Sequence, residues 1–165
     1  FRVNDIENFD NATISFELEG GAKCLFIAAH STKENSNPMF EYRFENGTVK
    51  YSESSGDITA YMNDGTKKSY GNPFAGAPDG GKSEIAINAC LEKKFKPVCS
   101  PYTAAAHTRC IEEIQKQPIH SISSALVREV GTLLYVDGLT KALEECYEKE
   151  LMLRDTEFYK ELVKN

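Results

Sequence analysis

The 165-residue chain has no long apolar run. Its longest, Leu25 to Ala29 and Leu133 to Val136, fall far short of the roughly 20 residues that cross a bilayer, so no membrane insertion is expected. It has no cluster of Lys and Arg either. The formal net charge is −6. An acidic chain without a basic patch is a poor ligand for nucleic acid, where neutralised phosphates carry most of the affinity. It suits an anionic membrane surface no better. No two cysteines stand as C-x-x-C. None of His30, His107 and His120 stands in H-E-x-x-H or a similar spacing. Neither a metal site nor a cofactor is expected on these grounds. There is no G-x-S-x-G elbow, no internal repeat and no low-complexity run. An initiator Met is also missing. The start at Phe1 reads as a processed end or an excised piece.

What is present is ordinary globular material. Hydrophobic residues are 41% and charged residues 27%, which excludes wholesale disorder. The expectation is a single soluble domain over 1–165 in three parts: a β-meander (1–70), a connector rich in Gly and Pro (71–82) and a helical part (83–165). The expected fold class is α+β. An antiparallel meander of five or six strands precedes a disulfide-stapled helical half that packs on one face of the sheet.

The strands follow from alternation and turn chemistry. Ile14, Phe16 and Leu18 alternate with polar residues. With Gly20-Gly21 as a two-residue turn, Phe16 pairs with Leu25 and Ile14 with Ile27. Asn46-Gly47 is a strong hairpin signal that pairs Phe44 with Val49 and Tyr42 with Tyr51. Strands over Asp57–Met62 and Thr66–Tyr70 follow, with turns at Ser55-Gly56 and Asn63-Asp64-Gly65. Residues His30 to Pro38 form a polar loop.

Helices follow from caps and spacing. Ser83 caps a segment that runs to about Lys96, before Pro97. Ser100 caps the next, with Pro101 at its first position, and Pro118 ends it. From Ile119 to about Met152, apolar residues recur every three or four positions: Ile122, Leu126, Val130, Leu133, Val136, Leu139, Leu143 and Cys146. That predicts a long helix, broken or kinked at Gly131 or Gly138. A final helix covers Asp155–Lys164.

Five cysteines are the main clue to compartment. Cys90, Cys99, Cys110 and Cys146 lie in the helical part and are the disulfide candidates. Cys24 is a lone thiol or a tie between the halves. Paired cysteines imply an oxidising, extracytoplasmic location, secreted or periplasmic. Two N-glycosylation sequons are present, Asn11-Ala12-Thr13 and Asn46-Gly47-Thr48.

One string carries a specific chemistry. Gly76-Ala-Pro-Asp-Gly-Gly81-Lys82-Ser83 fits G-x-x-x-x-G-K-[ST]. In P-loop nucleotide-binding proteins, which it resembles, the loop amides cradle phosphates, the Lys reaches the β- and γ-phosphates, and the hydroxyl holds Mg²⁺. Leu133 to Asp137 resembles the apolar strand and Asp that complete such a site. The context is wrong for that fold. No buried strand leads into the loop, the strands form hairpins on its N-terminal side, and Leu133 to Asp137 sits in a helical stripe. His30 and Ser31 with Asp57 or Asp64 would make a nucleophilic triad only by the accident of folding. Acidic pairs such as Glu112-Glu113 read as solvated helix faces.

No catalytic set emerges, so the expectation is a non-enzymatic, exported, disulfide-stabilised protein-binding module of inhibitor, immunity or accessory type. Its partner is another protein. Tyr42, Tyr51, Tyr61 and Tyr70, on an open sheet face, are the candidate contact residues. The alternatives are a carrier of a small apolar ligand and a nucleotide-binding protein using Gly76, Gly81, Lys82, Ser83 and Asp137.

Overall fold

The computed structural model describes residues 1–75, 81–92 and 99–163, with Lys82 described by its backbone only. Among these residues the fold is mixed α+β, with an antiparallel N-terminal region and four helices. In chain order the elements are β1 (Asn11–Glu17), β2 (Lys23–Ala29), β3 (Phe40–Phe44), β4 (Gly47–Tyr51), β5 (Thr59–Met62), β6 (Lys67–Ser69), α1 (Gly81–Glu92), α2 (Pro101–Gln115), β7 (Val127–Val130), β8 (Leu133–Val136), α3 (Leu139–Lys149), a 3-10 turn (Leu153–Asp155) and α4 (Glu157–Leu162). The strands form three separate sheets: β1-β2, β3-β4-β5-β6 and β7-β8. The chain divides into two compact units. One is Ser36–Thr103; the other joins Phe1–Asn35 to Ala104–Asn165. The first hairpin therefore belongs with the C-terminal elements and not to one continuous meander.

In the two-ended unit the core is Val136, Leu139, Ala142, Cys146, Leu153 and Leu162, with Ile27, Leu126, Leu143 and Phe158 packed against it. The helical stripe is real from Leu139 onward, where α3 buries Leu139, Ala142 and Cys146. Before that point the predicted long helix is wrong. Val130 pairs with Leu133 and Val127 with Val136 in a tight hairpin. Gly131 at its turn has φ +63°, which suits a glycine-first two-residue loop. The β-branched residues at 127, 130 and 136 favour the extended chain. Gly138 then opens α3 at φ +82°, and a Cβ there would lie 3.0 Å from the Phe158 ring.

The first hairpin is shifted by one residue from the expected register: Phe16 pairs with Cys24, and Ile14 with Phe26. The cause is a three-residue loop. Leu18 N–H donates to the Ala22 carbonyl at 2.9 Å, and Gly21 N–H donates to the Leu18 carbonyl at 2.8 Å. Only Gly21 takes positive φ, +80°. A one-residue shift swaps faces. Leu25 and Ile27 are half-buried, while Phe16 and Phe26 are exposed. The turn at Asn63-Asp64-Gly65 closes in the same way, with Met62 N–H on the Thr66 carbonyl and Gly65 N–H on the Met62 carbonyl.

The second hairpin is shifted by two. Phe44 pairs with Gly47, Tyr42 with Val49 and Phe40 with Tyr51. Glu45 and Asn46 make the turn, and Gly47 lacks the positive φ of a type I′ turn. Its glycine has another reason. A Cβ at Gly47 would sit 2.5 Å from the Tyr61 carbonyl oxygen of β5. The turn carbonyls are also committed: Asn63 N–H donates to that of Asn46 at 3.0 Å, and Asn63 Nδ2 to that of Glu45 at 2.9 Å.

α2 starts as its cap predicts, whereas α1 begins at Gly81 and holds Ser83 inside its first turn rather than as its cap. Ser100 Oγ accepts from Thr103 N–H at 3.2 Å, and Thr103 Oγ1 accepts from Ser100 N–H at 2.7 Å. Thr156 Oγ1 accepts from Tyr159 N–H at the start of α4. The expected packing of the helical half is met only at its end. α3 lies on β2 and on the 3-10 turn, whereas α2 buries no residue. The predicted stop at Pro97 lies outside the described residues.

The expected disulfide staple is absent. Cys24, Cys90, Cys99, Cys110 and Cys146 are all free. Cys90, Cys99 and Cys110 are exposed, on or beside α1 and α2. Cys146 is sealed in the core of the two-ended unit, away from solvent. Helix faces that bury nothing do not bring their thiols together, and a disulfide needs Cα atoms within about 7 Å.

Candidate functional site

The four tyrosines singled out from the sequence all lie in or beside the β3–β6 sheet, but not on one face. Register sorts them. Tyr42 faces the same way as Val49 and Ala60, and Phe40 the same way as Tyr51. Tyr70 follows β6, with its N–H on the Ile58 carbonyl, and continues that face. Tyr61 pairs with Thr48 and Lys67 on the opposite face.

The Tyr42 face is aromatic. The rings of Phe40 and Tyr42 stack at 4.8 Å, those of Phe40 and Tyr51 lie 5.7 Å apart, and Phe74 meets Tyr51 edge-on at 6.2 Å. Such pairs add about 0.5–1.5 kcal/mol each beyond the area they bury. Burial is uneven across this face. Tyr51 is 7% exposed, closed over by Phe40 and Phe74, so it is a packing residue and not a contact residue. Tyr42 at 58%, Phe44 at 65% and Tyr70 at 59% remain open. Phe44 is the member that sequence reading left off the list. Its place beside Tyr42 in the alternation of β3 was the available signal. Lys68 Nζ lies 4.8 Å from the Tyr70 ring centroid, and Lys67 Nζ lies 5.2 Å from that of Tyr61.

The opposite face is charged. Glu41 accepts from Arg43 Nε at 2.6 Å and from Lys50 Nζ at 2.8 Å. These bonds, Lys50 first, hold its carboxyl below the usual carboxylate range.

A hollow of about 250 Å³ lies beside the aromatic face, lined by Tyr51, Phe74, Pro38, Asn37, Glu53 and neighbours. Asn37 Nδ2 donates to the Glu53 carboxylate at its edge. A second hollow of about 220 Å³ sits at the start of α3, where Thr140 Oγ1 donates to Glu34 at 2.8 Å. Both are smaller than the roughly 300–1,000 Å³ of pockets that enclose a small ligand.

The phosphate-loop reading is only partly open to view, because Gly76 lies outside the described residues. Gly81 begins α1 and Ser83 is exposed on it. Leu133–Val136 is a strand after all, but a hairpin strand paired antiparallel with β7. Phosphate-loop folds place that strand in a parallel sheet. Asp137 is exposed, 3.8 Å from Arg128, and belongs to the other compact unit.

The triad reading fails on geometry. Ser31 is buried, with its Oγ accepting from Asn11 Nδ2 at 3.2 Å. Asp57 accepts from Ser69 Oγ, and Asp64 from Thr66 N–H. Among the described residues no group of three His, Cys, Asp or Glu is placed to hold a metal ion, and no helix is long and apolar enough to cross a membrane. Burial pushes the Cys146 thiol above its ordinary range, with Glu145 and Asp155 adding to the shift, which makes it a poor nucleophile.

Set against protein-family models, curated proteins and solved structures, the chain finds no match.

Proposed function

We propose that the chain is a non-enzymatic protein-binding module whose contact surface is the aromatic face of the β3–β6 sheet. The observation that carries this is the open group Tyr42, Phe44 and Tyr70 beside a packed aromatic base of Phe40, Tyr51 and Phe74. Open aromatic side chains on a rigid sheet are costly in water and supply large contact area at little entropic cost. Charge favours the same reading. The unit Ser36–Thr103 carries eight basic and eight acidic side chains, so its aromatic face needs no oppositely charged partner. The other unit carries eleven basic and seventeen acidic ones, and that excess speeds encounter with a basic partner. Lys68 beside Tyr70 gives the face a cationic edge.

An extracytoplasmic location remains part of the proposal only as a reading of the sequence, since the five free thiols of the structure add nothing to it. Recovery of the natural protein from the reducing interior of its source would remove it. A small-ligand carrier is the less favoured reading because the two hollows are small.

The test is retention by immobilised protein. Wild type holds a protein from extracts of the natural source, and the double variant Tyr42→Ala, Phe44→Ala loses it at an unchanged unfolding midpoint. Equal retention by both would overturn the assignment of the face. A tightly held small apolar molecule in native mass spectrometry, with no protein retained, would favour the carrier.

A further inference from the structure

The two sequons are alike in sequence and opposite in structure. Asn11 is 2% exposed. Its Nδ2 donates to Asp10 Oδ1 at 2.5 Å and to Ser31 Oγ at 3.2 Å, which uses both amide hydrogens. Asn46 is exposed at the second position of the Glu45-Asn46 turn. Its turn carbonyls are held by the main-chain N–H and the side-chain amide of Asn63, and β5 approaches Gly47 closely; none of this needs the Asn46 side chain. Thr48, the third sequon residue, lies on the charged face, across from Tyr61.

We infer that Asn46 is an acceptor for N-linked glycan and that Asn11 is excluded from that role in the folded protein. The inference rests on the extracytoplasmic reading for its biological setting. The co-reactant is a lipid-pyrophosphate oligosaccharide. Asn46 Nδ2 forms a bond to the anomeric carbon of the first sugar, the bond from that carbon to the pyrophosphate oxygen breaks, and the lipid pyrophosphate leaves with the electron pair. The amide gives up one proton to the transferase. At Asn11 the same exchange would replace an N–H that Asp10 or Ser31 needs, and would put a sugar where there is no open surface. A chain modified there cannot close the network.

The experiment supplies the compartment. The full chain is secreted from cultured animal cells behind a cleavable leader, and the folded product is digested with an amidase that removes N-glycans and leaves Asp at the acceptor. The expected result is a mass loss on digestion, conversion at position 46 alone, and loss of the glycan in both Asn46→Gln and Thr48→Ala. Folded secreted protein with Asn46 unmodified, or with sugar at Asn11, would overturn the inference. Because the leader is supplied, recovery of an untouched chain from the reducing interior of its natural source would sink the export reading and leave the acceptor result standing.

Discussion

Asn11 and Ser31 exchange two hydrogen bonds in the interior: Asn11 Nδ2 donates to Ser31 Oγ at 3.2 Å, and Asn11 Oδ1 accepts from Ser31 N–H at 3.2 Å. The Ser31 carbonyl accepts in turn from Val136 N–H at 2.9 Å, so the pair ties the end of the first hairpin to β8. Asp10 joins them and accepts from the main-chain N–H of Val3 and Asn4.

Asn11→Ala leaves the buried Ser31 N–H without its acceptor and removes one of the donors to Asp10. An orphaned buried group costs about 1–3 kcal/mol, so the variant is expected to lose about 3 kcal/mol in urea unfolding. Asn46→Ala, at an exposed turn, should change stability by less than about 0.5 kcal/mol. Equal midpoints for the two variants would contradict the network.

Gly47→Ala is expected to cost about 2 kcal/mol, because its new methyl would meet the Tyr61 carbonyl at 2.5 Å and the backbone must shift. At Gly65 there is open space but φ is +87°, so Gly65→Ala costs about 1 kcal/mol of strain alone. Thermal unfolding of both variants measures the difference. A harmless Gly47→Ala would mean that β4 and β5 do not pair in the register found.

The cysteines should sort by reactivity. Cys90, Cys99 and Cys110 are exposed and Cys146 is buried, so brief alkylation of native protein labels the first three and spares Cys146 until denaturant is added. The raised Cys146 pKa also sets a pH dependence. The unfolded thiol ionises first, near pH 8.5. Its contribution to stability is therefore complete below that pH and is lost as pH rises toward the folded value. Cys146→Ala should flatten the alkaline decline relative to wild type; an unchanged slope would count against the shift.

Glu41 should protonate at lower pH than an ordinary glutamate, because Lys50 and Arg43 favour its charged form. Its part in stability is then present above the ordinary carboxylate range and is lost as pH falls through the depressed value. A carboxyl-carbon NMR titration reads this directly. Lys50→Ala should move the midpoint upward, and a midpoint that stays in place would show that the pair does not form in solution.

Much of the strand content was legible, because period-2 alternation is local. Register was less so. Gly20-Gly21 reads as two turn residues, yet a three-residue loop uses positive φ only at Gly21. Gly47 is a glycine because of β5, a neighbour that no local window contains. The stripe through Val130, Leu133 and Val136 fits a helix by spacing, but the same residues pair across a hairpin once Gly131 turns the chain. The competing signal was β-branching. At the candidate site Tyr42, Tyr61 and Tyr70 are exposed, a point on which the sequence left an open face and a core under the helices as alternatives. It could not see that Tyr61 faces the other way or that Phe74 returns to close over Tyr51. Cysteine pairing failed for the same reason, since spacing along the chain says nothing of distance in space.

The two-ended unit sets an order of events. The hairpin Asn11–Ala29 is made about a hundred residues before those that cover its Ile27 side, among them Val136, Leu139 and Leu162. Until they arrive, it is a two-stranded ribbon with both edges open and Phe16 and Phe26 exposed, which is marginal alone and prone to pair with other chains. The middle unit needs none of that delay. Its described strands β3 to β6 pair only with neighbours in the sequence, so its sheet can close as soon as it has been made.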